Sequence, residues 1–295
     1  MIRAYLAAGA AAMVGGVLGS RHNRGPRNRA PVTTARTESF MLEDMPLDLN
    51  SDLGEGFGPW RMGDDAAMLD IVTSANIACG FHAGDPSTMR RTCELAVAKG
   101  VRIGAHVGYR DLVGFGRRDI AIAPADLRDE VLYQIGGLAA FARAAGDRVH
   151  YVKPHGALYH AAARDRLLAD AVLAAVAEAD TGLALLGPAG TELERAAGRV
   201  GVRFVGEGFA DRAYTATGTL ASRGVAGAVL SPDDAVAQAV SLALSGTART
   251  VDGPGTVAVS VASVCVHGDS PAAVEMARRI RRALDDAGIP VEPFG

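Results

Sequence analysis

Six side chains able to carry protons or hold a metal stand out by type and position: Asp48, Asp52, Glu55, His82, His106 and His155. Each falls at or just beyond a short apolar run rich in β-formers. Carboxylates and imidazoles are the usual general acids and bases, so this set is the candidate catalytic group. An Asp with two histidines from separate strands is also an ordinary ligand set for a water-activating divalent ion. If a metal is present, the set offered is Asp48, His82 and His106, although the histidines lack the HxxxH spacing common in metal-dependent deacetylases. Asn50, Asn76 and Lys153 are candidates for holding a substrate or a developing oxyanion, and Asp211, Arg212, Tyr214 and His267 for further substrate contacts.

Position strengthens the case. Four of the seven histidines, His82, His106, His155 and His267, end candidate strands. One such histidine would read equally well as a loop cap; four at equivalent places point to a site. Asp48, Asn50 and Asp52 alternate by two and share one strand face. Burying such groups without partners would cost about 1–3 kcal/mol each, so they bind a ligand or one another. Lys153 stands before Pro154 at a strand end, facing either the site or solvent. Arg117 and Arg118 suit a carboxylate or phosphate, or a solvated loop. Asp211 and Arg212 read as substrate contacts or as a pair bracing their loop.

The elements that must position these groups alternate in type. Apolar runs at 47–50, 74–79, 102–106, 150–153, 183–186, 203–206 and 257–266 predict strands, and helical patterns lie between most of them. Proline near the start and glycine at the end mark helices over 88–99, 126–145 and 233–245. About seven βα units without an internal linker predict an α/β fold, a single (β/α) barrel with about seven parallel strands over 46–295. In such a barrel the site lies where the loops after the strands converge. Asp48, Asn50, His82, His106, Lys153 and His155 are therefore expected to line one cavity. A doubly wound open sheet is the alternative, but Gly54-Glu55-Gly56-Phe57-Gly58 has the wrong spacing for a dinucleotide fingerprint.

Composition narrows the partners. With 30 Lys+Arg against 33 Asp+Glu, a net charge of −3 gives no general attraction to nucleic acid or an anionic membrane. Three cysteines without a CxxC pair argue against a disulfide framework and suit the cytoplasm. Residues 1–45 read as an extension outside the fold: a weak signal-like segment, too short in its apolar run for a membrane span, or the product of a start codon assigned upstream of Met41 or Met45. Residues 1–40 are expected to add nothing to the core.

The segments Asp48-Leu-Asn-Ser-Asp-Leu-Gly-Glu-Gly-Phe-Gly58, Ser74 to Pro86, Gly104-Ala-His-Val-Gly-Tyr109, Asp111 to Arg118, Val152-Lys-Pro-His-Gly-Ala-Leu-Tyr159, Phe209 to Tyr214 and Cys265-Val-His-Gly-Asp269 together resemble the LamB/YcsF family, in family order. Ser51 departs from a common cysteine and Val107 from a common proline. The resemblance implies a barrel related to the glycoside hydrolase/deacetylase barrel. It also implies a 5-oxoprolinase reaction, in which 5-oxoproline is opened to glutamate at the expense of ATP, with 5-oxoprolinase subunits B and C as partners. No GxxxxGK[ST] loop or kinase signature occurs, so ATP chemistry is expected to depend on a partner. The alternatives are a metal-dependent deacetylase-like hydrolase and a non-catalytic substrate-binding subunit.

Overall fold

The computed structural model describes residues 46–268 and 272–294. In chain order the strands are β1 (Asp48–Leu53), β2 (Ser74–Ala78), β3 (Arg102–Val107), β4 (Val149–Pro154), β5 (Ala184–Gly187), β6 (Arg203–Phe209), β7 (Thr247–Arg249), β8 (Thr256–Ala258) and β9 (Ser263–Cys265). The helices are α1 (Asp65–Met68), α2 (Pro86–Ala98), α3 (Pro124–Ala145), α4 (Gly156–Arg164), α5 (Arg166–Ala179), α6 (Glu192–Val200), α7 (Pro232–Ser245) and α8 (Ala273–Asp286). Strands β1 to β6 and β9 close into a parallel barrel in that order, β9 pairing with both β6 and β1. The expected (β/α) barrel is therefore the fold. The expectation for residues 1–45, and the family motif's Asp269, lie outside the described residues. Among those described, no helix is long and apolar enough to cross a membrane.

The helix signals act as their chemistry requires. Asp85 caps α2 by accepting from the Ser87 and Thr88 amides at 2.9 and 3.2 Å, with Pro86 in the first turn. Leu127, Val131, Ile135, Leu138 and Ala142 form the buried stripe of α3, which ends at left-handed Gly146. Such stripes pack on the outward face of the barrel, on Leu49, Ile103, Val152, Leu185 and Val264.

One strand differs from expectation. The run 257–266 is not continuous: its first part pairs antiparallel with β7 as β8, and only β9 enters the barrel. Between them, the Val259 amide donates to Gly246 O and the Ala262 amide to Gly206 O, so the backbone changes partners across 259–262. No Gly or Pro marks the break.

The barrel interior is divided. Tyr151, Ala184, Leu186 and Val205 form an apolar plug with Phe294. The β1 side is polar instead of the branched apolar filling usual in such barrels. Asp48 stands opposite Ser263, Asn50 opposite Ser74 and Cys265, and Asp52 opposite Asn76. Gly104 permits the join between halves: a Cβ there would lie 2.2 Å from the Tyr151 ring. That ring instead crosses the barrel, and its hydroxyl donates to Asn76 Oδ1 at 2.7 Å.

Candidate active site

The site rises from a floor of buried polar groups. Asp48, near the start of β1, accepts from Thr73 Oγ1 at 2.7 Å, Ser74 Oγ at 2.6 Å and the Ser263 hydroxyl. Burial raises its carboxyl from the ordinary 3.8 to about 6 against the pull of those hydroxyls. One layer higher, Asn76 Nδ2 donates to Asn50 Oδ1 at 2.7 Å and to Asp52 Oδ1 at 2.8 Å, while Asn50 Nδ2 donates to Ser263 Oγ at 2.7 Å. These contacts correct the expected grouping. Asp48, Asn50 and Asn76 share the interior face but lie below the cavity rather than lining it, their polar atoms bonded to protein. Asp48 is accordingly not brought together with His82 and His106 as a ligand set.

Above this floor lies a buried ionic cluster. Lys153 Nζ is 3.0 Å from Asp52 Oδ1 and 2.7 Å from a Glu207 oxygen. Burial disfavours its charge, but the carboxylates of Asp52 and Glu207 hold the ammonium well above its usual range. Burial likewise works against the Asp52 charge, and His106 and Lys153 outweigh it, holding the carboxyl well below its usual range. Asp52 Oδ2 also approaches His106 Nε2 at 3.3 Å. Of the two readings of Lys153, the site-facing one describes the structure.

Beside the cluster stand three histidine rings, from the ends of β2, β3 and β4. His82 and His155 stack in parallel with centroids 3.8 Å apart, and His106 meets both edge-on. His155 Nδ1 lies 2.9 Å from His106 Nε2, while His155 Nε2 faces Phe115 O at 2.9 Å and His106 Nδ1 faces Lys153 O at 3.2 Å. His82 is fully buried, and neither of its ring nitrogens has a hydrogen-bond partner among the described residues. A Glu55 oxygen lies 4.0 Å from His82 Nε2 and 3.9 Å from His155 Nδ1. Burial, then the charge of neighbouring histidines, keeps His82 well below its usual range and brings His155 down to about 3. Gly116 admits this packing, since a Cβ there would lie 2.7 Å from His82 Cβ and 2.8 Å from His155 Cδ2.

The cavity over these groups has a volume of about 400 Å³, within the usual range for a small-molecule site. Asp52, Glu55, His106, Lys153, His155, Arg212 and His267 line it; His82 lies behind His155. Asp211 and Tyr214 do not line it. Asp211 holds the His267 ring at 2.8–2.9 Å rather than forming the expected pair with Arg212, and Tyr214 Oη accepts from the Phe209 amide at 2.9 Å. Arg212 is buried, its guanidinium donating to the carbonyls of Ala228 and Ala221. Of the two loop arginines, Arg117 lines the cavity and Arg118 is tied to Asp111.

The residue-by-residue reading missed Glu207, Tyr159, His160, Arg164 and Arg223, of which all but Glu207 line the cavity. Glu207 carried one signal, a carboxylate between two glycines in a β-rich run. Arg164 and Arg223 had none, being ordinary charges of a helix end and a loop. Arg117, Arg164, Arg212 and Arg223 join Lys153 against Asp52, Glu55 and Asp119, which makes the lining suited to an anion.

These features define a closed (β/α) barrel with a small-molecule-sized, polar site where its strands end. The LamB/YcsF family pattern matches residues 47–295, and the chain belongs to that family. It is 76% identical over 250 residues to the 5-oxoprolinase A subunit of Nocardia farcinica (strain IFM 10152), covering 85% of this chain and 100% of that protein. To its namesake from Paracidovorax citrulli (strain AAC00-1) it is 57% identical over 251 residues, with the same coverage. A lactam utilization protein from Thermus thermophilus shares the fold at a TM-score of 0.80 and 45% identity, covering 85% of this chain and 100% of that one. A family 4 carbohydrate esterase from Streptomyces lividans, covering 85% of this chain and 94% of its own, reaches only 0.45 at 13% identity, too little to argue a kinship of sites.

Proposed function

We propose that this chain is the A subunit of an ATP-dependent 5-oxoprolinase, opening the lactam of 5-oxoproline to glutamate together with B and C partner subunits. The observation that carries this reading is the cavity itself. It sets a cationic rim beside the ionised Asp52 carboxylate and the neutral His155 imidazole, in a chain whose named relatives match it over their whole length.

A five-membered lactam is a resonance-stabilised amide, and its carbonyl needs activation before water adds at a useful rate. Phosphorylation of the lactam oxygen by ATP, through the partners, would supply that activation. The chain's own groups suit the steps after activation. The lining arginines Arg117, Arg164 and Arg223 complement the substrate carboxylate and an added phosphate. Asp52 remains ionised beside cationic Lys153, placing a fixed dipole at the cavity floor where charge develops. The Glu55 carboxylate, at the cavity wall, offers lone pairs by which an attacking water can be oriented or relieved of its proton. Water adds to the ring carbon, the ring C–N bond breaks with the nitrogen leaving as an amine after gaining a proton, and a second water cleaves the resulting acyl phosphate to glutamate and inorganic phosphate.

Reconstitution tests the reading. The purified chain mixed with the two partner subunits should release glutamate from 5-oxoproline with consumption of ATP, and omitting this chain should abolish it. Equal glutamate release without this chain would overturn the proposal.

A further inference from the structure

We propose that Glu55, His82, His106 and His155 form a binding site for one divalent transition-metal ion of the zinc type. The four residues follow or end β1, β2, β3 and β4, one per neighbouring strand, and each offers a ligand atom within 4.8 Å of the others. A tetrahedral site with bonds of about 2.0–2.2 Å needs its ligand atoms about 3.4 Å apart. Three of the six separations, 2.9, 3.9 and 4.0 Å, lie either side of that value, and all six are within 4.8 Å, a spread that small side-chain shifts would close around an ion.

The hydrogen bonds fix which nitrogens bear lone pairs. A carbonyl oxygen only accepts, so Phe115 O places a proton on His155 Nε2 and Lys153 O places one on His106 Nδ1. In neutral rings this leaves two bare nitrogens, His155 Nδ1 and His106 Nε2, facing each other at 2.9 Å. Two lone pairs at that distance repel unless a positive species joins them. A ring nitrogen anchored on a backbone carbonyl while the other turns inward is also the usual support of metal-bound histidine. His82 adds a fully buried ring with no hydrogen-bond partner among the described residues, and Glu55 adds a carboxylate. Three imidazoles and one carboxylate favour zinc-like ions over calcium or magnesium, which prefer all-oxygen shells.

The neighbouring cluster of Asp52, Cys265 and His267 shows the contrast. There the ammonium of Lys153 supplies the positive charge, 3.0 Å from Asp52 and 3.3 Å from Cys265. This makes the histidine set the better metal site, with Asp52 held by Lys153 and its second oxygen 3.3 Å from His106 Nε2, where a bound cation would also be favoured. The inference rests on side-chain geometry, independently of the proposed reaction.

The test is direct metal binding by the full-length chain, stripped with chelator and titrated with Zn²⁺ or Co²⁺ in the absence of partners and substrate. One ion per chain is expected, with a rise in melting temperature. His82→Ala and His155→Ala should each weaken binding about a hundredfold or more, while His150→Ala, remote from the cluster, leaves it unchanged. X-ray absorption of the metal-loaded wild type covers the case in which a variant fails to fold. Two or more imidazole ligands at about 2.0 Å support the site. Fewer, or no stoichiometric binding, overturns it and leaves a shared proton as the species between His106 and His155. A chain that binds metal but gives no glutamate with its partners would keep this site and remove the proposed function.

Discussion

Lys153 neutralises two buried carboxylates, Asp52 and Glu207, and is itself 2% exposed. Removing one member of such a group leaves the others as uncompensated buried charge, which typically costs about 3–5 kcal/mol. Lys153→Met keeps the volume and deletes the charge, so urea unfolding should show a loss of that size; a change below about 1 kcal/mol would mean the ion pairs hold nothing together. Asp48 gives a test of opposite character. Its folded carboxyl titrates near 6, against 3.8 ordinarily, so the folded chain holds the proton more tightly than the unfolded chain does. That contribution is fully present below about pH 4 and is lost as pH rises through about 6. A shift of this size corresponds to about 3 kcal/mol. Measured at about pH 4 and again above about pH 6.5, the stability of Asp48→Asn relative to wild type should improve by roughly that amount; a pH-independent difference would show that Asp48 is not strained by burial.

Between residues and molecule, strand depth decides what each side chain does. The two-residue alternation in β1 puts Asp48, Asn50 and Asp52 on the interior face, and that much was legible in the sequence. Alternation says nothing about height, however. With the first strand expected to end at Asn50, all three fell at its exit; the strand runs to Leu53, which lowers Asp48 into the floor and leaves Asp52 at the cavity. The same difference hid Glu207, because β6 continues past Gly206 to Phe209. The histidines were legible for the opposite reason, since each ends or follows its strand and so falls at the same end of the barrel whatever the strand's length. The break between β8 and β9 carried no signal, because pairing there is set by distant backbone. Gly104 tests the packing of β3 against β4. A methyl group at Gly104 meets the Tyr151 ring, so Gly104→Ala should cost about 1–3 kcal/mol by overpacking and lower the melting temperature. Unchanged melting would show that Tyr151 does not cross the barrel at that point.

At the scale of the whole molecule, the barrel explains how residues a hundred apart in sequence meet: Asp52 and Lys153 stand on β1 and β4, carried to one cavity by closure of the sheet. Relatives named as 5-oxoprolinase A subunits align over all or nearly all of their length with about 250 residues of this chain. We therefore expect a chain shortened to begin at Met41 to keep the melting temperature and glutamate-forming activity of the full chain; a clear loss of either would show that the preceding residues contribute. The family was readable from motifs in order along the chain, and the barrel from its alternation of strand and helix runs. The arginine rim was only partly so, because a surface arginine has no local signature and its convergence depends on loops from several strands.

Whether the cavity at the strand ends opens the lactam is decided by 5-oxoproline-dependent glutamate formation by Asp52→Asn in the complex with the partner subunits, followed beside phosphate release. The substitution conserves shape and leaves Lys153 paired with Glu207. Glutamate formation should fall about a hundredfold in a folded protein, as expected on losing a positioned charge or proton carrier, with phosphate release persisting in excess of glutamate. Wild-type glutamate formation at full stability would contradict it.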